Sequence, residues 1–390
     1  MKKISDNGQL TMDNSEIPKD WEIKKLGEVC DLKSGKTIPY SIEKSKGEIL
    51  YTKIGDMNIE GNENCITLSS RYVDKKDIKE NQIIPVGSII FPKRGGAIAT
   101  NKKRRIIKPT IVDLNTMALV PSKLINKDYL FFWFQQIDLA KLSNGANIPQ
   151  INNYSFDNVF ISFPKSLPEQ KRIVSILDRA FEAIDKAKAN AEQNLKNAKE
   201  LFESYLQGVF ENKGDDWEEK KFGELFKLKS GDGLTAKKMI DGQYPVFGGN
   251  GIAGYHCKYN YEDQIIIGRV GALCGNVRLV NKKFWLTDNA FRISQGLEYF
   301  INNFVVYMLN HKNLRNYARQ AAQPVISNSS LKNVIINYPK SIEEQKQIVQ
   351  KLDSLSSETK KLESIYQQKI NDLEELKKSI LQKAFAGELI

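Results

Sequence analysis

The residues here whose types and spacing could do chemistry are cations and amides, and the chemistry they suit is contact with a polyanion. In the first half of the chain they are Lys93-Arg94, Lys102-Lys103-Arg104-Arg105 and the loop from Asn147 to Gln150. In the second half they are Arg269, Arg278, Lys282-Lys283, Arg315 and Arg319. Lysine and arginine meet phosphates, while arginine, lysine, asparagine and glutamine also reach base edges. Arg94 and Arg269 each follow a strand-like run, Ser88-Ile89-Ile90-Phe91 and Gln264-Ile265-Ile266-Ile267, and lie beside glycine, where backbone could approach a duplex closely. The whole chain leans the same way: 58 Lys+Arg against 47 Asp+Glu leave a formal charge of +11 and a pI near 9.1. Double-stranded DNA is the expected partner, and a merely solvated, lysine-rich surface is the competing explanation.

Catalytic groupings do not assemble. Ser34-Gly35-Lys36-Thr37 ends like a phosphate-binding loop, but that loop needs a glycine five residues before Gly35, where Cys30 stands. No methyl-donor loop, Asn-Pro-Pro-Tyr type motif or acidic nuclease cluster is found, and His256 and His311 stand alone. Cys30, Cys65, Cys257 and Cys274 are far apart without CxxC spacing, which implies neither a disulfide framework nor a zinc site. The expectation is a non-catalytic chain without cofactor or metal. Met1 to Glu16 is polar, and no stretch approaches the roughly 18 apolar residues of a membrane span, so a cytoplasmic protein without a membrane partner is expected.

The elements that must position these residues come in two copies. Asp20-Trp21-Glu22, Lys24-Lys25, Gly27-Glu28 and Leu32-Lys33-Ser34-Gly35 return as Asp216-Trp217-Glu218, Lys220-Lys221, Gly223-Glu224 and Leu228-Lys229-Ser230-Gly231, at an offset of 196. Phe163-Pro164-Lys165-Ser166, Glu169-Gln170-Lys171 and Ile173-Val174 return as Tyr338-Pro339-Lys340-Ser341, Glu344-Gln345-Lys346 and Ile348-Val349, at an offset of 175. The copies keep their ends, while their middles differ by 21 residues in length and in almost every side chain. Short apolar runs broken by Gly and Pro, Gln82-Ile83-Ile84 among them, predict strands. Aromatic segments from Tyr129 to Leu142 and from Tyr299 to Arg319 predict helices, so each module is a mix of α and β.

After each module a long segment without Gly or Pro predicts a helix, Glu169 to Gln207 and Glu343 to Phe385. Ile173, Leu177, Ala180, Ile184, Ala187, Ala191, Asn194, Ala198, Leu201 and Tyr205 recur at alternating spacings of four and three. Ile348, Leu352, Leu355, Thr359, Leu362, Tyr366, Lys369, Leu373, Leu376 and Ile380 do the same in the second helix. These are coiled-coil seams, with a polar residue, Asn194 or Lys369, at one equivalent height. Connectivity implies that the two helices run antiparallel, giving an α+β, pseudo-two-fold chain of tail (1–18), module (19–165), helix (166–212), module (213–340) and helix (341–390).

This order, with the repeated Trp, the Pro-Lys-Ser step and the Glu-Gln-Lys-x-Ile-Val opening of each long helix, resembles the specificity subunit of Type I restriction-modification enzymes, over about Lys19 to Ile390. The resemblance implies two target recognition domains, each reading one half of a bipartite DNA sequence. It also implies helices that set the spacing and dock two methyltransferase subunits, which in turn support motor-endonuclease subunits. A specificity component whose partner carries methylation and cleavage in one chain, and a coiled-coil adaptor without a DNA role, are the alternatives.

Overall fold

The structure, a computed structural model, describes residues 18–319 and 323–389; of the expected tail, all but Pro18 lies outside them. The chain divides into two compact units. One takes the described residues up to Ala189 together with those from Ile370 onward, and the other is Asn190–Lys369. Each long helix therefore contributes residues to both units.

Each unit is framed by the same antiparallel pair. Trp21–Lys25 lies against Phe160–Pro164 with Trp21 opposite Pro164, and Trp217–Lys221 lies against Ile335–Pro339 with Trp217 opposite Pro339. The larger sheet of the first module runs in the order Cys30–Ser34, Thr116–Pro121, Ile89–Pro92, Arg104–Ile106, Cys65–Ile66. That of the second runs Lys227–Ser230, Ala290–Gln295, Tyr261–Gly268, Val277–Leu286, Tyr244–Gly248, Gly251–His256. The first four strands correspond. The first module adds a small separate sheet of Tyr72–Val73, Ile49–Thr52 and Thr110–Val112.

Behind each sheet lies an aromatic helix. Tyr129 to Phe134 are all buried in the helix Lys127–Gln135, as are Phe304, Val305, Met308 and Leu309 in Asn302–His311; a helix apolar nearly all round belongs in a core. Both helices are shorter than expected. The first ends at Gln135 because the Ile137 carbonyl is taken by the Lys103 ammonium (2.6 Å) and Asp138 caps a separate turn, Leu139–Leu142. The second stops at His311, where Asn313 adopts a left-handed φ of 50° before a 3-10 turn, Leu314–Tyr317. Gln82 to Ile84 is not a strand: Gln82 closes a 3-10 turn and Ile84 makes one bridge, to Thr110, before Pro85, which has no N–H to continue a ladder.

The long helices are Leu167–Glu211 and Ile342–Phe385. Within the first unit their segments run antiparallel, with Asp185 paired to Lys377 (2.8 Å) and Lys188 to Glu374 (2.6 Å). Ile173, Leu177 and Ile184 are buried there, as are Leu381, Ala384 and Phe385. The seams drift from the expected line. Leu201 and Leu376, equivalent residues, are 50% and 47% exposed, while Phe202, Leu206 and Phe210 pack into the second core and Leu381 and Phe385 into the first. An unstrained helix turns by about 20° per heptad relative to a 3.5-residue seam, which rotates the stripe within a few turns. Asn194 and Lys369 are exposed.

The Glu-Gln-Lys repeat acquires a physical cause. Gln170, fully buried, donates from Nε2 to the carbonyls of Pro164 (2.8 Å) and Leu124 (3.3 Å), and its Oε1 accepts the Asn126 N–H (2.7 Å). Gln345, also fully buried, does the same with Pro339 (3.1 Å), Tyr299 (3.2 Å) and the Ile301 N–H (2.9 Å). Each carboxamide ties the start of a long helix to the end of the framing strand and the start of the aromatic helix. Gln170→Ala strands a buried donor and acceptors, at about 1 to 3 kcal/mol for each unpaired group. We expect it, and Gln345→Ala, to destabilise the unit it sits in by about 3 kcal/mol in denaturant titrations. A loss below about 1 kcal/mol would show that the clamp is dispensable.

Candidate nucleic-acid interface

In the first module the strand Ile89–Pro92 delivers Lys93, Arg94 and Gly95 to a place where three loops meet. Lys93 N–H donates to the Asn115 carbonyl (2.8 Å), Ile151 N–H to the Lys93 carbonyl (2.9 Å) and Gly95 N–H to the Pro149 carbonyl (2.8 Å). In the second module Arg269 N–H donates to Asn289 (3.0 Å), Ile326 N–H to Arg269 (2.9 Å) and Gly271 N–H to Pro324 (3.3 Å). The bonds are the same, so Lys93 corresponds to Arg269 and Arg94 to Val270. Arg94 and Arg269, alike in following a strand and lying beside glycine, thus stand one residue apart in the frame.

Both corresponding cations lean back onto corresponding serines. Lys93 Nζ donates to Ser34 Oγ (3.0 Å), and Arg269 Nη1 to Ser230 Oγ (3.4 Å) and the Asp288 carbonyl (3.3 Å), its guanidinium over the Phe291 ring. Burial, helped by the neighbouring Arg94 charge, holds the Lys93 ammonium below the usual lysine range. The glycine of the Ser-Gly repeat is explained here too. A Cβ on Gly35 would lie 2.0 Å from the Asp113 carbonyl oxygen, and one on Gly231 2.2 Å from that of Leu286. The loop needs glycine for close backbone packing.

Arg94 is exposed, and among the described residues its guanidinium makes no hydrogen bond; it forms an antiparallel bridge with Gln150. Asn147 is exposed on the same loop, beside Ile148 at 60% exposure. In the second module Arg315 reaches the Ala272 carbonyl, and Arg319, exposed, bridges Val325, so both border the Arg269 loop. Arg278 is held by Asn276 (2.9 Å). Lys282 and Lys283 lie elsewhere, exposed on the strand Val277–Leu286, with Lys283 over the Tyr259 ring.

The run Lys102 to Arg105 is not the exposed patch it suggested. Lys102 bonds Asn58. Lys103 is 2% exposed, its ammonium held by Ile137 and Asn101 (3.0 Å). Arg104 reaches the Met57 carbonyl (3.2 Å), and Arg105 pairs with Asp128 (2.9 Å) over the Phe131 ring. Only Arg104 and Arg105 lie on the strand, and Lys103, just before it, turns into the core.

Other chemistry-bearing residues serve structure. His256 is buried, its Nδ1 accepting the Ile240 N–H (3.1 Å); His311 stacks on Phe210, and burial pushes its imidazole below the usual range. The four cysteines are free, and no His/Cys/Asp/Glu grouping among the described residues could hold a metal.

Two repeated frames that carry different exposed side chains are what a reader of two different half-sequences requires. Comparison with known proteins agrees: a model of the Type I restriction modification DNA specificity domain matches residues 18–196 and again 214–375. The chain belongs to this family. It is 27% identical to the EcoprrI specificity subunit of Escherichia coli, over 87% of this chain and 88% of that one. It is 25% identical to the StySPI specificity subunit of Salmonella potsdam, over 97% and 91%. Among solved structures, a chain from a study of complex assembly and conformational transition in the type I R-M system superposes with a TM-score of 0.78 at 18% identity, covering 96% of this chain and 99% of that one. HsdS from Thermoanaerobacter tengcongensis gives 0.60 at 19%, covering 96% and 98%. These likenesses show the fold. Family membership sets aside an adaptor without a DNA role. Among the described residues no helix is long and apolar enough to cross a membrane.

Lys103 yields a pH test. Burial pushes its ammonium down to about 7 in the folded specificity chain, outweighing the Asp138 charge that favours protonation; unfolded, it titrates near 10.5. Between those values the unfolded chain holds a proton that the folded chain has released, so folding stability rises with pH across that window. Lys103→Met should flatten this part of the stability profile. Equal slopes for both proteins from pH 7 to 9 would mean that the buried ammonium stays charged.

Proposed function

We propose that this chain reads DNA for a Type I restriction-modification complex, the module at 19–165 taking one half of a bipartite duplex target and the module at 213–340 the other. The carrying observation is the duplicated cleft: backbone bonds that repeat bond for bond, with Arg94 and Gln150 in one copy where the other has Val270 and Val325. A fixed frame with exchanged side chains allows two sequences to be read in one manner. Arg94, Asn147, Gln150, Arg315 and Arg319 are the polar residues we assign to DNA, with Lys93 and Arg269 toward phosphate; Lys103 and Arg105 are spent inside the module. Leu201 in one unit and its equivalent Leu376 in the other are apolar and half-exposed. Two such surfaces suit two copies of a methyltransferase subunit, through which motor-endonuclease subunits join. The chain itself has no catalytic role in this scheme, and it acts in the cytoplasm, where the DNA is.

Co-expression with the cognate methyltransferase followed by mapping of methylated sites should return one divided motif with a fixed gap. Exchanging residues 50–147 for those of a relative should change one half of it. Methyl transfer from S-adenosylmethionine by the pure, partner-free chain, or a motif altered in both halves, would contradict the proposal.

The helical segments at 166–212 and 341–390 set the gap. One heptad added to each at equivalent positions lengthens each helix by about 10.5 Å, roughly three base-pair steps of 3.4 Å. The two half-sites should then be unchanged in sequence and separated by a longer spacer. An active variant that keeps the original spacing would show that the helices are not the ruler.

A further inference from the structure

We infer that Arg94 and Gln150 are the base-reading pair of the first module, and that Val270 and Val325 occupy the same two stations in the second. This rests on the DNA-reading function proposed above and says which side chains carry it. The frame separates two kinds of neighbour. At the first position, Lys93 or Arg269, both copies keep a cation and both fold it back onto a serine hydroxyl, Ser34 or Ser230. At the next position the backbone is equally constrained, but the side chain changes from arginine to valine. Its bridge partner, drawn from a distant part of the chain, changes with it from glutamine to valine.

Directly opposed residues of an antiparallel bridge project to the same side, with Cβ atoms about 4.5 to 5.5 Å apart. Arg94 and Gln150 therefore present two hydrogen-bonding heads within one or two base-pair steps of each other. Arg94 is exposed and its guanidinium unengaged, while Gln150 keeps its Oε1 free and donates from Nε2 to Asn152 (3.1 Å). Arginine pairs in bidentate fashion with O6 and N7 of guanine, and glutamine with N6 and N7 of adenine; an apolar side chain meets the thymine methyl group. The first half-site should then contain a guanine within two base pairs of an adenine, and the second half-site thymines at the corresponding stations. Lys93 and Arg269 position the loop and meet phosphate, without selecting sequence.

The test uses the full chain in complex with its methyltransferase subunits. The variant Arg94→Val with Gln150→Val, the single variants, the reverse change Val270→Arg with Val325→Gln, and Lys93→Met are compared by methylation mapping. Competition binding against duplexes with single base changes is measured at fixed salt. The first double variant should lose discrimination at one or two adjacent positions of one half-site, by on the order of ten- to a hundred-fold, and leave the other half-site intact. Each single variant should relax one position, the reverse change should alter only the other half-site, and Lys93→Met should weaken all duplexes alike. An unchanged motif in the Arg94 and Gln150 variants would overturn the inference, as would a uniform loss of affinity without relaxation. Failure of the DNA-reading function is separate: it would show in the unaltered complex, as the absence of any divided motif.

Discussion

A buried carboxamide, used twice, is the interaction on which the rest depends. Gln170 and Gln345 each present an acceptor to an incoming amide and two donors to carbonyls at the end of a strand and of a loop. No other side chain of that length offers both functions without charge; a glutamate would bring two acceptors to two carbonyls and add the cost of a buried ion. Because the glutamine sits on the long helix and its partners belong to the end of the framing strand and to the loop and cap that open the aromatic helix, the direction in which the long helix leaves the module is set by hydrogen bonds in addition to apolar contact. The Trp–Pro opposition beside it closes the frame: Trp217 Nε1 donates to Glu344 (2.8 Å), one residue before the clamp, and Trp21 packs edge-on to Tyr129.

What the sequence made legible follows from what these interactions demand. Gln, Pro and Trp at the ends of each copy are fixed by side-chain chemistry, so they repeat as letters, and the two modules and two long helices could be read from them. The cleft in the middle is held by main-chain bonds, which constrain side-chain identity little, so its repetition left few letters, Gly95 with Gly271 and Pro149 with Pro324 among them. Gly35 and Gly231 are a further repeat, visible because no Cβ fits there. The one-residue offset between Arg94 and Arg269 in the frame has no trace in the sequence, where their settings look alike, since main-chain bonds fix the register. The seams failed toward the helix ends for a different reason: a seven-residue pattern describes a supercoil, whereas Phe202 and Phe210 follow an unstrained helix onto the aromatic helix of their module.

Once the frame is aligned, the unequal lengths of the copies fall in one place. The offset between them is 196 at Gly35 and Gly231 but 176 at Lys93 and Arg269, after which it stays within a residue of 175. Nearly all of the difference therefore lies between the glycine loop and the strand that carries the cations, and in the first module this stretch builds most of the small separate sheet and supplies Ile38, Ile49, Tyr51 and Val73 to its core. An insertion there leaves the three loops of the cleft in register, so elaboration of the module and preservation of the cleft do not compete.

The cations then sort by what surrounds them, and their density in the sequence is a poor guide to which meet a partner. Lys103 and Arg105 sit in the densest basic run, yet one is buried with its ammonium on carbonyl oxygens and the other is paired to Asp128 over an aromatic ring. Lys93 and Arg269 stand at the cleft but are tied to serines. Arg94, with one cationic neighbour and a backbone pinned on both sides, has an unengaged head on a held Cα. Discrimination between bases needs that combination: a free donor fork loses little on leaving water for a base edge, and a fixed Cα ensures that a wrong base leaves the fork unpaired because the loop cannot adjust around it.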